Sequence, residues 1–261
     1  QPANIAIFYR TNAQSRAIEE ALLECGLPYQ IFGGHRFYER KEIKDLLAYF
    51  RLLINPHDNE SLYRIINVPA RGLGAAAVGA VQALAQKRGI SAFTAIEQIC
   101  VGGDKVPGLS AAQIGKLAKF LELTKSLQEE ARAAAAALSA NANNIPASEI
   151  TVSIAILLKH IAEKSGYLAS LKAQDSLEAE GRIENIDELC RVSVDFIERS
   201  LEEGLQPTLS DFLDRTALSS DLDKENSGMS DNSEQAKSLQ GSISLMTLHL
   251  AKGLEFDVVF L

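Results

Sequence analysis

Strand-like segments stand at both ends of this chain, with roughly two hundred residues of helical pattern between them. Residues 4–9 (NIAIFY) and 29–32 (YQIF) open it, and residues 243–247 (ISLMT) and 258–261 (VVFL) close it. The third segment alternates apolar with polar residues, whereas the last is a continuous apolar run that suits a buried parallel strand. Between the first two lies a helical pattern with Ile18, Leu22 and Leu23 on one face. Thr11 or Asn12 can cap it, and Gly26 followed by Pro28 stops it. This is a βαβ unit of the length that parallel strands need. Distant strands share one sheet most simply when the stretch between them is an insertion whose entry and exit lie close together. The expected fold is therefore α/β and mainly helical: a partial parallel sheet carrying a large inserted all-α subdomain.

The interior supports that organisation. Ile43, Leu46, Leu47, Phe50 and Leu53 repeat at helical spacing until Asn55-Pro56 ends the run. Further helices are expected over 59–67, 75–88, 110–137 and 150–164, and another is marked by Ile186, Cys190, Val194, Ile197 and Leu201. Thr208 and Asp211 form a capping box for a short helix ending at Leu218. Residues 219–241 are rich in Ser, Asp and Asn and read as a flexible linker. The expected divisions are 1–33 for the first part of the sheet domain, 34–218 for the helical insertion, 219–241 for the linker and 242–261 for the sheet resumed.

A net charge of −8 argues against a dedicated nucleic-acid binder, because neutralising phosphates takes clustered Lys and Arg. The basic residues are nevertheless grouped: His35, Arg36, Arg40, Lys41 and Lys44 could form a small phosphate-contacting face. Phe37 and Tyr38 beside them suit core packing better than base stacking. Cys25, Cys100 and Cys190 are widely spaced and odd in number, which suits buried thiols in a reducing cytosol rather than disulfides or zinc. There is no signal peptide and no apolar run of membrane-spanning length. The chain leads directly into a strand and stops inside one, as an excised piece of a longer protein would.

Catalytic equipment is sparse. No Gly-rich loop ending in Gly-Lys-Ser/Thr occurs, and Lys252-Gly253 has the reverse order. No acidic pair follows an apolar strand, and His35, His57, His160 and His249 lack metal-ligand spacing. Two turns carry the remaining chemistry. Residues 247–256 crowd Thr, His, Lys and Glu onto the end of a strand, where open α/β sheets bind ligands. Arg71-Gly72-Leu73-Gly74 precedes a helix, so backbone N–H groups could face a phosphate, with Arg71 adding charge.

The run Thr247-Leu248-His249-Leu250-Ala251-Lys252-Gly253-Leu254-Glu255-Phe256 resembles the fifth helicase motif of the UvrD/Rep/PcrA family of superfamily 1 DNA helicases. Residues 9–16 (YRTNAQSR) and 33–45 (GGHRFYERKEIKD) resemble the segment that precedes that family's inserted subdomain. Leu250 departs from the pattern, standing where the family usually has a small residue, commonly Ser. Leu250 is expected to pack into the domain core.

The resemblance implies that the partial sheet is RecA-like, the second of two such domains that hold ATP between them. The first, missing domain would bring the phosphate loop and the Mg2+ ligands. By position, Glu255 resembles the residue that reaches the nucleotide ribose, and Lys252 and Gly253 sit where the loop couples nucleotide to DNA. Thr247 and His249 resemble contacts to the single-stranded DNA backbone, and Arg10 and Asn12 lie in the segment lining the same strand. Arg71, Gly72 and Gly74 resemble the turn that contacts duplex DNA. The implied protein is an ATP-dependent helicase moving 3′ to 5′ in the cytoplasm on single strands and single/double-strand junctions. This chain alone is expected neither to hydrolyse ATP nor to unwind DNA. The alternative is a non-catalytic DNA- or protein-binding module that retains the helicase fold.

Overall fold

The computed structural model describes residues 2–102, 106–139, 153–226 and 241–261. Its first strand, β1 (Ile5–Tyr9), is followed by α1 (Ser15–Glu24) and β2 (Tyr29–Ile31). Eight further helices among the described residues are α2 (Lys41–Ile54), α3 (Asn59–Ile65), α4 (Ala75–Arg88), α5 (Ala92–Val101), α6 (Ala111–Ser139), α7 (Ser153–Lys164), α8 (Tyr167–Lys172) and α9 (Leu177–Glu202). After α10 (Leu209–Asn226) come β3 (Ile243–Thr247) and β4 (Val258–Phe260).

The strands form one parallel sheet in the order β2-β3-β1-β4. The βαβ unit thus encloses a gap, which β3 fills from the far end of the chain. Tyr9 pairs with Thr247 on one side of β3, and Tyr29 pairs with Ile243 on the other. Such a centre is buried: Leu245 and Met246 are fully covered, so the alternation read in the sequence does not produce one wet face. Tyr9, Leu22, Tyr29, Ile243 and Leu245 form the core between sheet and α1. The closing strand differs from expectation. β4 pairs with β1 at the sheet edge, and Val258, Val259 and Phe260 are exposed rather than buried. Among the described residues nothing extends the sheet beyond it.

The chain divides into two compact units. One comprises residues 1–43, 180–188 and 214–261, and the other 44–179 and 189–213. Among its described residues the regular structure of the second unit is all helical. Its centre includes Phe212 packed edge-on to Phe50 at 5.8 Å and tilted against Phe196 at 5.7 Å. Local signals set many helix starts: Asp58 accepts from Ser61 N–H, Ser91 from Thr94 N–H and Ser176 from Ala179 N–H.

The linker expected over 219–241 is corrected at its start, since α10 continues to Asn226. The Thr208/Asp211 capping box forms, with Asp211 accepting from Thr208 N–H at 2.9 Å and Thr208 Oγ1 from Asp211 N–H at 3.1 Å. Once that nucleus exists, each added helical residue is cheap, and Ser or Asp near the end does not stop propagation. Residues 227–240 of the expected linker lie outside the described residues, as does the start of the helix expected over 150–164.

Candidate functional site

In a parallel sheet the carboxyl ends of all strands gather on one edge. Here that edge brings together the segment after β1, with Arg10 and Asn12, and the turn after β3, with Thr247, His249, Lys252, Gly253 and Glu255. Leu248 N–H donates to the Tyr9 carbonyl at 3.1 Å, continuing the β1–β3 ladder one residue into the turn. The turn then closes on itself: Leu250 and Ala251 N–H donate to Thr247 O at 3.0 and 3.2 Å, and Leu254 N–H to Ala251 O at 3.0 Å. Phe256 holds its far end by an edge-on contact with Phe8, centroids 6.0 Å apart. On this frame His249, Lys252 and Glu255 are exposed and Thr247 is half-buried. Arg10 and Asn12 are also exposed, while Gln14 Oε1 accepts from the N–H groups of Arg10 at 2.9 Å and Thr11 at 3.1 Å.

Leu250 does not enter the core; it remains 46% exposed and lies over Gly33. A β-carbon on Gly33 would stand 2.2 Å from Leu250 Cδ1, and Gly33 itself has φ +70°. Glycine is thus required there by both backbone conformation and close approach.

The basic group expected at residues 35–44 separates into surface and interior. His35, Lys41 and Lys44 are exposed, and Arg36 stacks over the Tyr29 ring at 5.1 Å. Arg40 is buried and belongs to no phosphate-contacting face. Its Nε donates to His35 O at 3.2 Å, Nη1 to Asn12 O at 2.9 Å and Asn185 Oδ1 at 2.7 Å, and Nη2 to Ser15 Oγ at 2.6 Å. Glu19, also buried, offers a carboxylate 3.8 Å from Nη2. Burial draws the Arg40 pKa down, and the Glu19 and Glu42 carboxylates oppose that shift. Beside this cluster Tyr9 is raised to about 12, by burial first and by Glu19 second. Its hydroxyl is buried without a hydrogen-bond partner. Phe37 and Tyr38 are core residues, as their setting suggested.

The Arg71–Gly74 turn lies in the helical unit. Asn67 Oδ1 shapes it, accepting from Arg71 N–H at 2.7 Å and Leu73 N–H at 3.1 Å, and Leu73 is buried beneath. Gly72 has φ +69°, with Lys116 Nζ only 3.4 Å from its carbonyl. Gly74 is the N-cap of α4; no side chain caps it, and a β-carbon there would meet open space.

Arg71 departs from its expected role. Its Nη1 donates to Ile65 O at 3.1 Å, Val68 O at 2.8 Å and Pro69 O at 3.3 Å, and its Nη2 to the Tyr49 hydroxyl at 2.7 Å and Ser165 O at 3.1 Å. The guanidinium also lies 5.4 Å from the Phe120 ring centre. These bonds direct it to internal acceptors rather than to a phosphate. Burial raises the Tyr49 hydroxyl to about 12 although Arg71 favours its anion.

The nucleotide and single-strand candidates therefore share one unit, and the duplex candidates share the other. Three partners were not foreseen from the residues: Asn185 on Arg40, Tyr49 on Arg71, and Lys116 over Gly72. Tyr49 falls on the apolar face of α2, but nothing local marks Asn185 or Lys116. Among the described residues no three His, Cys, Asp or Glu stand where they could hold a metal ion. Glu255, an exposed carboxylate beside Gly253, fits a partner offering hydroxyl donors, as a ribose does.

The sequence pattern of the UvrD-like helicase C-terminal domain matches residues 1–261. The chain is 42% identical over 259 residues to the ATP-dependent DNA helicase PcrA of Bacillus subtilis (strain 168), covering 99% of this chain and 31% of that protein. It is 36% identical over 262 residues to PcrA of Leuconostoc citreum, covering 99% of this chain and 30% of that one. It is 38% identical over 259 residues to PcrA of Staphylococcus aureus (strain NCTC 8325 / PS 47), covering 99% and 30%. The chain thus spans under a third of the length of these relatives. With its full length matched, the chain belongs to the UvrD-like helicase C-terminal domain family.

Proposed function

We propose that this chain is the part of an ATP-dependent DNA helicase that couples nucleotide binding to a single-stranded DNA track. The observation that carries the reading is the Leu248 N–H bond to Tyr9 O, which joins the turn of His249 and Glu255 to the segment of Arg10 and Asn12. In this reading Glu255 accepts from the ribose hydroxyls, and Lys252 and Gly253 lie on the nucleotide side of the turn. Thr247, His249, Arg10 and Asn12 face the DNA backbone. A short, closed turn that touches both ligands lets each alter the affinity of the other, a coupling that is reciprocal by linkage. Hydrolysis of ATP to ADP and phosphate, assisted by Mg2+, would supply the free energy of movement. The residues here orient the nucleotide and the strand, and a preceding RecA-like domain of the same protein supplies the phosphate loop and metal ligands.

In the helical unit, the backbone at Gly72 and Gly74 contacts duplex phosphates near the single/double-strand junction. Arg71 contributes by shaping that turn from within, and the translocation polarity is 3′ to 5′. The test is strand displacement by the full-length protein on duplexes with a 3′ or a 5′ tail, alongside ATP hydrolysis by this chain alone. Unwinding of the 3′-tailed substrate and no turnover by the isolated chain are expected. Unwinding from the 5′ tail alone overturns the polarity. A full-length protein that binds DNA without DNA-stimulated hydrolysis is a non-catalytic module.

A further inference from the structure

We infer that Arg40 is a positioning residue for the single-strand contacts: locked by Asn185, it holds the Asn12 carbonyl and so sets where Arg10 and Asn12 are presented. The inference rests on the proposed reading of residues 10–12 as part of the DNA track.

Arg10 and Asn12 are exposed side chains on a short connection between β1 and α1, and such a connection is only as well placed as its backbone bonds. On one side Gln14 Oε1 takes the N–H groups of Arg10 and Thr11. On the other the Asn12 carbonyl accepts from the Ser15 backbone N–H within the same short turn, and two side chains also approach it, Arg40 Nη1 and the Ser15 hydroxyl, each at 2.9 Å. A hydroxyl has one proton, and the Glu19 carboxylate lies closer to Ser15 Oγ, at 2.6 Å. A charged acceptor makes the stronger bond, so the Ser15 proton goes to Glu19, and Arg40 is left as the side-chain donor that ties the Asn12 carbonyl to structure beyond its own turn.

Arg40 can do this because its own position is determined on every side. Asn185 Nδ2 donates to Glu42 Oε1 at 2.5 Å, which orients the amide with Oδ1 toward Arg40. Glu19 is oriented in turn by Phe37 N–H at 3.2 Å and by the Tyr29 hydroxyl at 3.4 Å. The result is a buried relay, Glu42 to Asn185 to Arg40 to the Asn12 carbonyl, that joins α9 to the proposed DNA segment. Lysine cannot replace Arg40 in it. An ammonium keeps the charge but not the rigid fork that reaches His35 O, Asn12 O and Asn185 Oδ1 together.

The experiment uses the full-length protein and compares Arg40→Lys, Asn185→Ala and Arg10→Ala with the parent. It reads melting temperature, oligo(dT) affinity, basal ATPase and DNA-stimulated ATPase. Arg40→Lys and Asn185→Ala are expected to weaken oligo(dT) binding by about tenfold and to raise the half-saturating DNA concentration by the same factor. Basal turnover and the maximal rate at saturating DNA stay within about twofold, a split that a merely structural defect does not produce. Unchanged oligo(dT) affinity in both variants overturns the inference, and so does a parallel fall of every readout. If Arg40→Lys fails to fold, Asn185→Ala decides alone, because it removes a neutral side chain and leaves Arg40 opposite Glu19. Arg10→Ala separates the two levels of the argument. Weakened binding there with intact binding in the relay variants sinks the relay only, whereas intact binding in all three removes residues 10–12 from the DNA track.

Discussion

Arg71 Nη2 donates to the Tyr49 hydroxyl at 2.7 Å, and that hydroxyl donates in turn to the Val68 carbonyl. The side chain that sequence reasoning turned toward DNA is thus a bracket inside the helical unit. Arg71→Ala leaves the carbonyls of Ile65, Pro69 and Ser165 without this donor and is expected to destabilise the protein by about 1–3 kcal/mol in denaturant unfolding. Arg71→Lys should recover little of that loss, since an ammonium cannot serve the same spread of acceptors. In folded protein Arg71→Ala should leave the salt slope of duplex binding unchanged. Lys116→Ala, which removes the exposed cation over Gly72, should lower it by about one unit. The opposite pattern would make Arg71 the phosphate contact after all.

Gly33 and Leu250 form a matched pair. Gly33→Ala places a β-carbon against Leu250 and forces alanine into φ +70°, at a cost of about 1–2 kcal/mol. Leu250→Ala alone should change stability by less than about 1 kcal/mol, because the side chain is 46% exposed. A double-mutant cycle should show the second substitution recovering part of the first. Strict additivity would mean that backbone strain is the whole penalty.

His249 and Glu255 occupy one turn and are expected to fail differently. His249→Ala should reduce DNA-stimulated ATPase of the full-length protein far more than basal ATPase. Glu255→Ala should act on nucleotide affinity, by about 1–3 kcal/mol for the loss of the proposed hydrogen bond to the ribose. Steady-state ATPase with and without DNA distinguishes them, and two variants equal to the parent would reduce the turn to a connection between β3 and β4.

A single protease site inserted between Asn226 and Gly241 gives a test of the sheet. β3 is paired on both sides and buries Leu245 and Met246 completely, so after the cut the two pieces should still elute together under native conditions. Separation would be incompatible with the β2-β3-β1 order.

In the helical unit, Glu130 on α6 accepts from Lys164 at 2.7 Å and His160 at 2.6 Å on α7. Burial pushes its pKa up, but the bonds and charges of Lys164 and His160 outweigh that and hold it below the usual glutamate value. A carboxyl whose folded pKa is depressed adds stability above its unfolded pKa and loses it as pH falls through the folded one. Glu130→Gln should therefore cost stability at neutral pH, by no more than about 1 kcal/mol for so exposed a group. The difference from the parent should shrink on acidification through and below the carboxylate range. A difference independent of pH would assign the effect to packing.

Local chemistry determined most of the helices of this protein. Apolar spacing, the Thr208/Asp211 capping box and the breaks at Gly26 and Asn55-Pro56 act within a few residues, so they are visible one segment at a time. The strands at both ends and their parallel character were legible for the same reason, as was the grouping of Thr247, His249 and Glu255 at a strand terminus. Tertiary structure alone decided which strand lies between which, because β3 enters the gap between β1 and β2 from more than two hundred residues away. It also decided what each arginine does. Arg40 and Arg71 are the same residue type as exposed Arg10, and only the acceptors brought around them, the Asn185 amide oxygen, the Glu19 carboxylate, the Tyr49 hydroxyl and the Ser165 carbonyl, make them interior brackets rather than surface charge. A side chain's charge is written in the sequence, but its direction is set by acceptors that arrive from elsewhere in the fold.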